Sequence, residues 1–311
     1  MNRHEAADTL SPWFTPFAPW FSQTDPRAAG RLDLDRLNAL AGQRVLTLAD
    51  GRPLRFVEAA ATGRLAYELE IAETARVPTR CSGPGLVHDW FNALCWLRWP
   101  AIKARLNRLQ TDAIRADPGS LSGRRGPLRD AITLFDESGA LMVGADGAML
   151  SAWRAFDWPG LFVAHRDRFA MPAGQGWTTE ERSTTGRGQA AEPGRATVLV
   201  VGHALLEKLL TPYKAICAQA LAVAAVAGPD AAAPAADGPD AGTQDLPDSA
   251  DACDRLDAAV AASLAPATLA RERLMPLPVL GVPGWWPENA DPAFYNDDEV
   301  FRRGRRRSVQ T

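Results

Sequence analysis

Cysteine is scarce: Cys81, Cys95, Cys217 and Cys253 are the four in a chain of 311 residues. That is too few for a disulfide scaffold, and without a CxxC pair a thiolate zinc site has little support. Cys95 and Cys217 read as small buried hydrophobes in helical surroundings. Histidine is as rare, with four residues, and His4 lies in an N-terminal arm. A histidine-based site must therefore draw on His88, His165 or His203. No P-loop, GxGxxG or GxSxG occurs, so nucleotide-phosphate cradling, Rossmann binding and the hydrolase nucleophile elbow lose their usual signals. No apolar run reaches the roughly twenty residues of a membrane span. Met1 to Phe21 is broken by Pro16 and Pro19, where a signal peptide needs an unbroken apolar segment. A cytoplasmic protein without membrane contact is the expectation. The net charge of −3 excludes a basic nucleic-acid wrapper. The one basic cluster, Arg302-Arg-Gly-Arg-Arg-Arg307, reads as a solvated tail that would hold a polyanion weakly and salt-sensitively.

What is present is enough for a sizeable core, since hydrophobic residues are 46% and charged residues 23% of the chain. Residues 1–30 form an aromatic, proline-rich arm expected to dock on the domain surface. Residues 31–303 read as a single α+β domain, a small and mostly antiparallel sheet packed by helices, and 304–311 as the basic tail. Asp33–Ala41 carries a helical pattern. Val45–Leu48 and Leu54–Val57 read as strands joined at Asp50-Gly51, and the alternation of Tyr67, Leu69 and Ile71 reads as a further strand. Phe91, Leu94 and Cys95 share a helical face, and Pro100 suits the first turn of a second helix. Residues 131–143 read as a hairpin turning at Gly139. Trp153–Phe162 looks helical, 174–194 is a polar loop, and Ala196–Val201 is a buried strand feeding a helix at His203–Leu210. Tyr213–Ala227 continues as helix. In 228–251, Ala, Asp, Gly and Pro supply twenty of twenty-four residues with no Lys, Arg or aromatic, so that segment is expected to be a disordered acidic insertion. A helix from Cys253 to Leu264 follows.

Three segments carry a family likeness: His88-Asp-Trp-Phe-Asn-Ala-Leu94, Leu134-Phe-Asp-Glu-Ser-Gly139 and Gly202-His-Ala-Leu-Leu-Glu-Lys-Leu-Leu210. With Pro278-Val-Leu-Gly-Val-Pro-Gly-Trp-Trp286, Phe294-Tyr295 and Val300-Phe301-Arg302, the chain resembles a bacterial family catalogued as domain of unknown function 3025. The likeness runs in order from about Phe56 to Arg303, with the acidic insertion as a departure peculiar to this chain. It implies one continuous domain and no particular activity, so the chemistry has to come from the residues.

His203 and Glu207 stand four apart on a helix and share a face. That spacing suits a metal held by imidazole and carboxylate, or a base beside its orienting acid. The plain alternative is a capped, solvated histidine. His88 and Asn92 are also four apart, among tryptophans, with Asp89 either functional or the helix N-cap. Arg129, Asp130 and Thr133 are placed on a strand, with Asp136 and Glu137 assigned to the hairpin turn, which leaves Asp130 as the better catalytic candidate. Arg80, Asn92, Lys103 and Arg129 are candidates to bind an anionic ligand. Two readings stand side by side. In one, His88, His203 and Glu207 hold zinc, manganese or iron, and Asp89 or Asp130 activates water for hydrolysis. In the other, the same residues are structural, and the protein binds a protein partner or an anionic ligand without catalysis.

Overall fold

The computed structural model describes residues 10–61, 65–121, 126–170, 195–225, 249–270 and 273–303. The 174–194 loop, the acidic insertion up to residue 248, the 304–311 tail and His4 lie outside them. The N-terminal arm is more than a surface strap. A 3-10 turn, Pro12–Phe17, leads into α1 (Ala18–Thr24), and Trp13, Phe14, Phe17, Trp20 and Phe21 are all buried in one hydrophobic cluster that extends to Phe301. The Trp90 indole N–H donates to Thr24 at 2.9 Å, tying the arm to the centre.

The helix α2 (Leu34–Gln43) starts at Asp33, whose carboxylate accepts from the Arg36 N–H. The expected hairpin after it shrinks to a single bridge between Thr47 and Pro53. Its second strand, β1 (Arg55–Glu58), instead pairs in parallel with β2 (Arg76–Thr79). Between them, Tyr67–Ile71 is not a strand but part of α3 (Tyr67–Thr74). Three alternating apolar residues are too short a signal to outweigh the Glu, Leu and Ala that favour helix there. Next come α4 (Leu86–Arg98) and α5 (Pro100–Ala116), with Pro100 in its first turn as expected. Trp90, Phe91, Leu94, Cys95 and Leu97 are buried on every side of α4, which makes it the central helix. Each such aromatic or Leu contributes about 1.5–3 kcal/mol over its exposed state.

The expected hairpin at 131–143 is a helix running into a strand, α6 (Pro127–Ser138) then β3 (Gly139–Val143). Leu128, Ala131, Ile132 and Phe135 recur at helical spacing and face inward. The remaining elements are α7 (Gly147–Arg154), a π turn at Gly160–Ala164, β4 (Phe169–Ala170), β5 (Ala196–Val200), α8 (His203–Lys208), β6 (Cys217–Val223), α9 (Ser249–Ser263) and β7 (Met275–Pro278). Thus the expected Tyr213–Ala227 helix is not a helix over its described part, 213–225. Its alanine-rich part is a strand because β3 and β7 pair with it on either side, a tertiary pairing that overrides propensity. Cys217 accordingly lies on a strand.

The architecture is α+β, but the main sheet is evenly mixed rather than mostly antiparallel. In the order β4-β5-β3-β6-β7, the pairs β4–β5 and β3–β6 are parallel while β5–β3 and β6–β7 are antiparallel. The β1–β2 ribbon is a separate parallel pair. Among the described residues, no helix is long and apolar enough to cross a membrane.

Candidate functional site

Two glycines bring the key elements together. A Cβ on Gly202 would stand 2.4 Å from the Gly139 nitrogen and 2.5 Å from the Glu137 carbonyl oxygen, so only glycine lets the start of α8 touch the end of α6. The N–H groups of Val201 and Gly202 both donate to the Gly139 carbonyl, at 3.0 and 2.9 Å. His203, the next residue, is thereby held with Nδ1 2.8 Å from the backbone carbonyl of Asp136.

His88 on α4 sits between the two residues that share a face of α8. Its Nδ1 lies 2.9 Å from Glu207 Oε2, and its Nε2 lies 3.1 Å from His203 Nε2. The bond network assigns the tautomers. A carbonyl can only accept, so His203 carries its proton on Nδ1, and the partly exposed Glu207 carboxylate likewise takes the Nδ1 proton of His88. Both Nε2 lone pairs then face each other. The rings meet at 76° with centroids 4.6 Å apart, a bent contact rather than a head-on one. Such a pair calls for one positive species, a proton or a metal ion, to be shared between its nitrogens. Burial, reinforced by Lys103 and His88, pushes the His203 imidazole down to about 4 against the opposing pull of Asp136, so His203 is neutral near pH 7.

Both histidines line a cavity of about 240 Å³ walled by α3, α4, α5 and α6 together with Arg80 and His203. Most of its lining residues carry a polar side chain, with Trp96, Leu106 and Ile132 apolar, and the surface they present is polar and apolar in about equal measure. Lys103, only 3% exposed, donates to Asp136 Oδ1 at 2.5 Å. Burial works against both charges. The Asp136 carboxylate nevertheless holds the Lys103 ammonium above its ordinary value, and Lys103 with the neighbouring histidines holds Asp136 below its own. Asn92 donates to the Tyr67 hydroxyl at 2.7 Å, while its own carbonyl oxygen is buried without a partner. Cys95, behind the site, donates to the Val201 carbonyl, and burial pushes its thiol up and out of reactive range.

The fold brings His88, His203, Glu207, Asp89, Arg80, Asn92 and Lys103 into one neighbourhood, but several stand in other relations than expected. Glu207 and the Asp136 backbone carbonyl lie at the Nδ1 edges of the two rings, opposite the facing Nε2 atoms. Among the described residues, no group of three His, Cys, Asp or Glu is placed to hold a metal ion. Asp89 is not the N-cap of α4, a position held by Gly85, but lies one turn inside the helix. Its carboxylate accepts from Arg80 Nη2, Nε and backbone N at 2.7, 2.9 and 2.7 Å, so it stands in an ion pair with Arg80.

Asp130 is exposed on α6, not on a strand, and does not border the cavity. Arg129, also on α6, is buried with its Nε donating to Gln110 Oε1 at 3.2 Å, again outside the cavity wall. His165 follows the π turn, away from the site. The residues that sequence reasoning missed are Tyr67, Glu68, Gln110, Asp136 and Glu137. The helical recurrence of Leu128, Ala131, Ile132 and Phe135 was the signal for the last two, because it places Asp136 and Glu137 on the final turn of a helix.

A family model described as a protein of unknown function (DUF3025) matches residues 54–176 and 184–305. That is most of the chain, and the chain belongs to this family. The searches of curated proteins and of solved structures found no match.

Proposed function

We propose that this member of an uncharacterised family is an acid–base enzyme of the hydrolase kind, with the His88–His203 cavity as its active site. The observation that carries the reading is the 3.1 Å approach of two Nε2 atoms whose Nδ1 sides are both committed to oxygen acceptors. Two converging lone pairs repel, and taking up one proton between them relieves the repulsion, so the pair acts as a single base. A water molecule bonded to it in the cavity gives up a proton as it attacks the substrate. The same proton then passes from the pair to the leaving group. Glu207 orients His88 and balances the charge it gains, while neutral, buried His203 serves as the second acceptor. Asp136 holds His203 in its tautomer through the backbone carbonyl and neutralises Lys103 through its carboxylate.

A second reading has its own support. Imidazoles whose Nδ1 atoms donate to a carboxylate and a backbone carbonyl have the outer partners that metal-bound histidines usually have. In that reading His88 and His203 would hold zinc, manganese or iron, which would supply Lewis-acid activation of water. The described residues offer it two nitrogens, so water and substrate would have to complete the sphere.

The test is a screen of small esters and amides with metal-stripped and metal-reconstituted protein, beside His88→Gln and His203→Gln variants. Turnover by the stripped protein that falls at least about a hundredfold in either variant is the expected result. Turnover that appears only on reconstitution selects the metal reading. Turnover that both variants retain, or none in any arm, removes the catalytic one and leaves a binding protein.

A further inference from the structure

We infer that the groove between α5 and the segment following α2 docks an acidic, apolar segment of a protein partner, with Val45 and Arg105 as its anchors. The groove, of about 570 Å³, shares no lining residue with the His88–His203 cavity, so the inference holds whether or not that cavity is catalytic. It begins from an oddity at the end of α2. The Val45 N–H donates to the Gly42 carbonyl at 3.1 Å and the Leu46 N–H to the Ala41 carbonyl at 3.0 Å. These are the paired bonds that close a helix through a left-handed residue. That residue is Val45, with φ of 51°. Glycine or asparagine suits the position, whereas a β-branched side chain is strained there. Burial offers no compensation, because Val45 is 75% exposed. Strain without burial does not serve the fold, and an exposed valine held in this way points to a contact made outside the chain.

The second observation is the composition of the groove that Val45 lines. It presents more apolar than polar surface, to which Leu48, Ala104 and Ala261 contribute. Its charged members are Arg44, Arg105 and Arg108, and among the described residues no acidic, lysine or aromatic side chain lines it. Arginine set in apolar surface, with lysine and acids left out, is the composition of a protein interface. Arg44 is already occupied, since its guanidinium is bidentate on Asp254. Arg105 is not. Its Nε donates to the Leu264 carbonyl at 2.9 Å, which fixes the side chain, and no acidic partner meets it among the described residues. Arg108 approaches Asp112 only at 3.9 Å, with both side chains exposed, a pair that contributes little. Two guanidinium groups beside an apolar surface are thus available to the carboxylates of a partner. A nucleic acid fits less well, because its bases would find no aromatic ring to stack on.

The experiment selects displayed random peptides on the full chain. The recovered peptides are then titrated by fluorescence anisotropy against the parent and against Val45→Gly, Arg105→Ala and Arg108→Ala. They should be rich in Asp and Glu interspersed with Leu, Ile or Val, and their binding should weaken as salt rises. Val45→Gly and Arg105→Ala should each lower the affinity at least about tenfold, and Arg108→Ala by less. Val45→Gly is the decisive variant. It should raise the urea midpoint of the chain while weakening the peptide, a combination that a merely structural valine does not give. Poly-uridylate titration and sedimentation of the chain alone form two further arms. Peptides without acidic enrichment, affinity unmoved by Val45→Gly or Arg105→Ala, or no peptide recovered overturns the inference. Poly-uridylate binding lost with Arg105 also overturns it and assigns the groove to nucleic acid. A dimer that Val45→Gly dissolves overturns it as well and assigns the groove to a second copy of the chain.

Discussion

The Nε2 atoms of His88 and His203 stand 3.1 Å apart, with Glu207 behind one ring and the Asp136 carbonyl behind the other. Three helices, α4, α6 and α8, and the Gly139–Gly202 contact make that approach, and both rings line one cavity. Proton balance, buried charge and close packing all meet at this pair, and each is open to its own measurement.

Stability should fall in acid within a defined window. The folded value of His203 is about 4, below the 6.5 of a free imidazole, so the unfolded chain takes up the proton first as pH drops. The stability tied to neutral His203 is complete above about pH 6.5 and lost between there and pH 4, to the extent of about 3 kcal/mol. Asp136, held below its ordinary 3.8, adds stability that is lost only at still lower pH, so the two windows separate. Urea denaturation of metal-free protein at several pH values should show the slope, and His203→Gln should flatten it. An unchanged slope in that variant would assign the acid sensitivity to other groups.

Breaking the Lys103–Asp136 pair should be costly on one side and tolerable on both. Lys103→Met leaves a buried carboxylate without its partner and should cost about 3 kcal/mol. The double variant Lys103→Met with Asp136→Leu should recover most of that loss, because two apolar side chains replace two buried charges. Additive losses in the double-mutant cycle would mean that the pair is not coupled.

Gly202→Ala should damage the site through packing alone. The new methyl group meets backbone atoms of Gly139 and Glu137 that have no rotamer to escape into. A loss of about 1–3 kcal/mol is expected from the overpacking, together with a changed histidine environment by NMR. A variant as stable as the parent, with the same histidine signals, would show that α6 and α8 are not in this contact.

Asp257 on α9 reaches across to the start of α5 and accepts from the Ala101 and Ile102 N–H groups at 2.8 and 2.9 Å. It thus caps, from another helix, the element that carries Lys103. Asp257→Ala should cost about 2 kcal/mol in chemical denaturation by leaving both donors unmet. No measurable loss would mean that water replaces the carboxylate.

How much of this was legible in the sequence depends on which signal each element offered. The helices α4, α5 and α8 and the strand β5 were legible from apolar period, Pro100 and the β-branched run at 196–201. With them came His88 and His203 as the histidines to watch, and the facing of His203 with Glu207. The partner that His88 inserts between them is a tertiary fact with no local trace. Asp136 was hidden by its neighbours: Asp136-Glu-Ser-Gly139 has the composition of a turn, yet φ of Gly139 is −71°, and the glycine is needed for close approach instead of for chain reversal. The β6 strand was unreadable for the opposite reason, since an alanine-rich segment becomes a strand only when β3 and β7 pair with it. Charge pairing was equally silent, so Arg80 and Lys103 looked free for an anion when Asp89 and Asp136 already hold them.

The most direct test of the histidine pair is a long-range nitrogen–proton NMR spectrum of histidine-labelled, metal-stripped protein, recorded across pH with His88→Gln and His203→Gln for assignment. His203 should be protonated on Nδ1 wherever it is neutral, neutral His88 should be the same tautomer, and a proton taken up should be shared between the two Nε2 atoms. A neutral His203 found protonated on Nε2 would contradict the paired-base mechanism, because the Asp136 carbonyl would then have no donor and the two lone pairs would not converge.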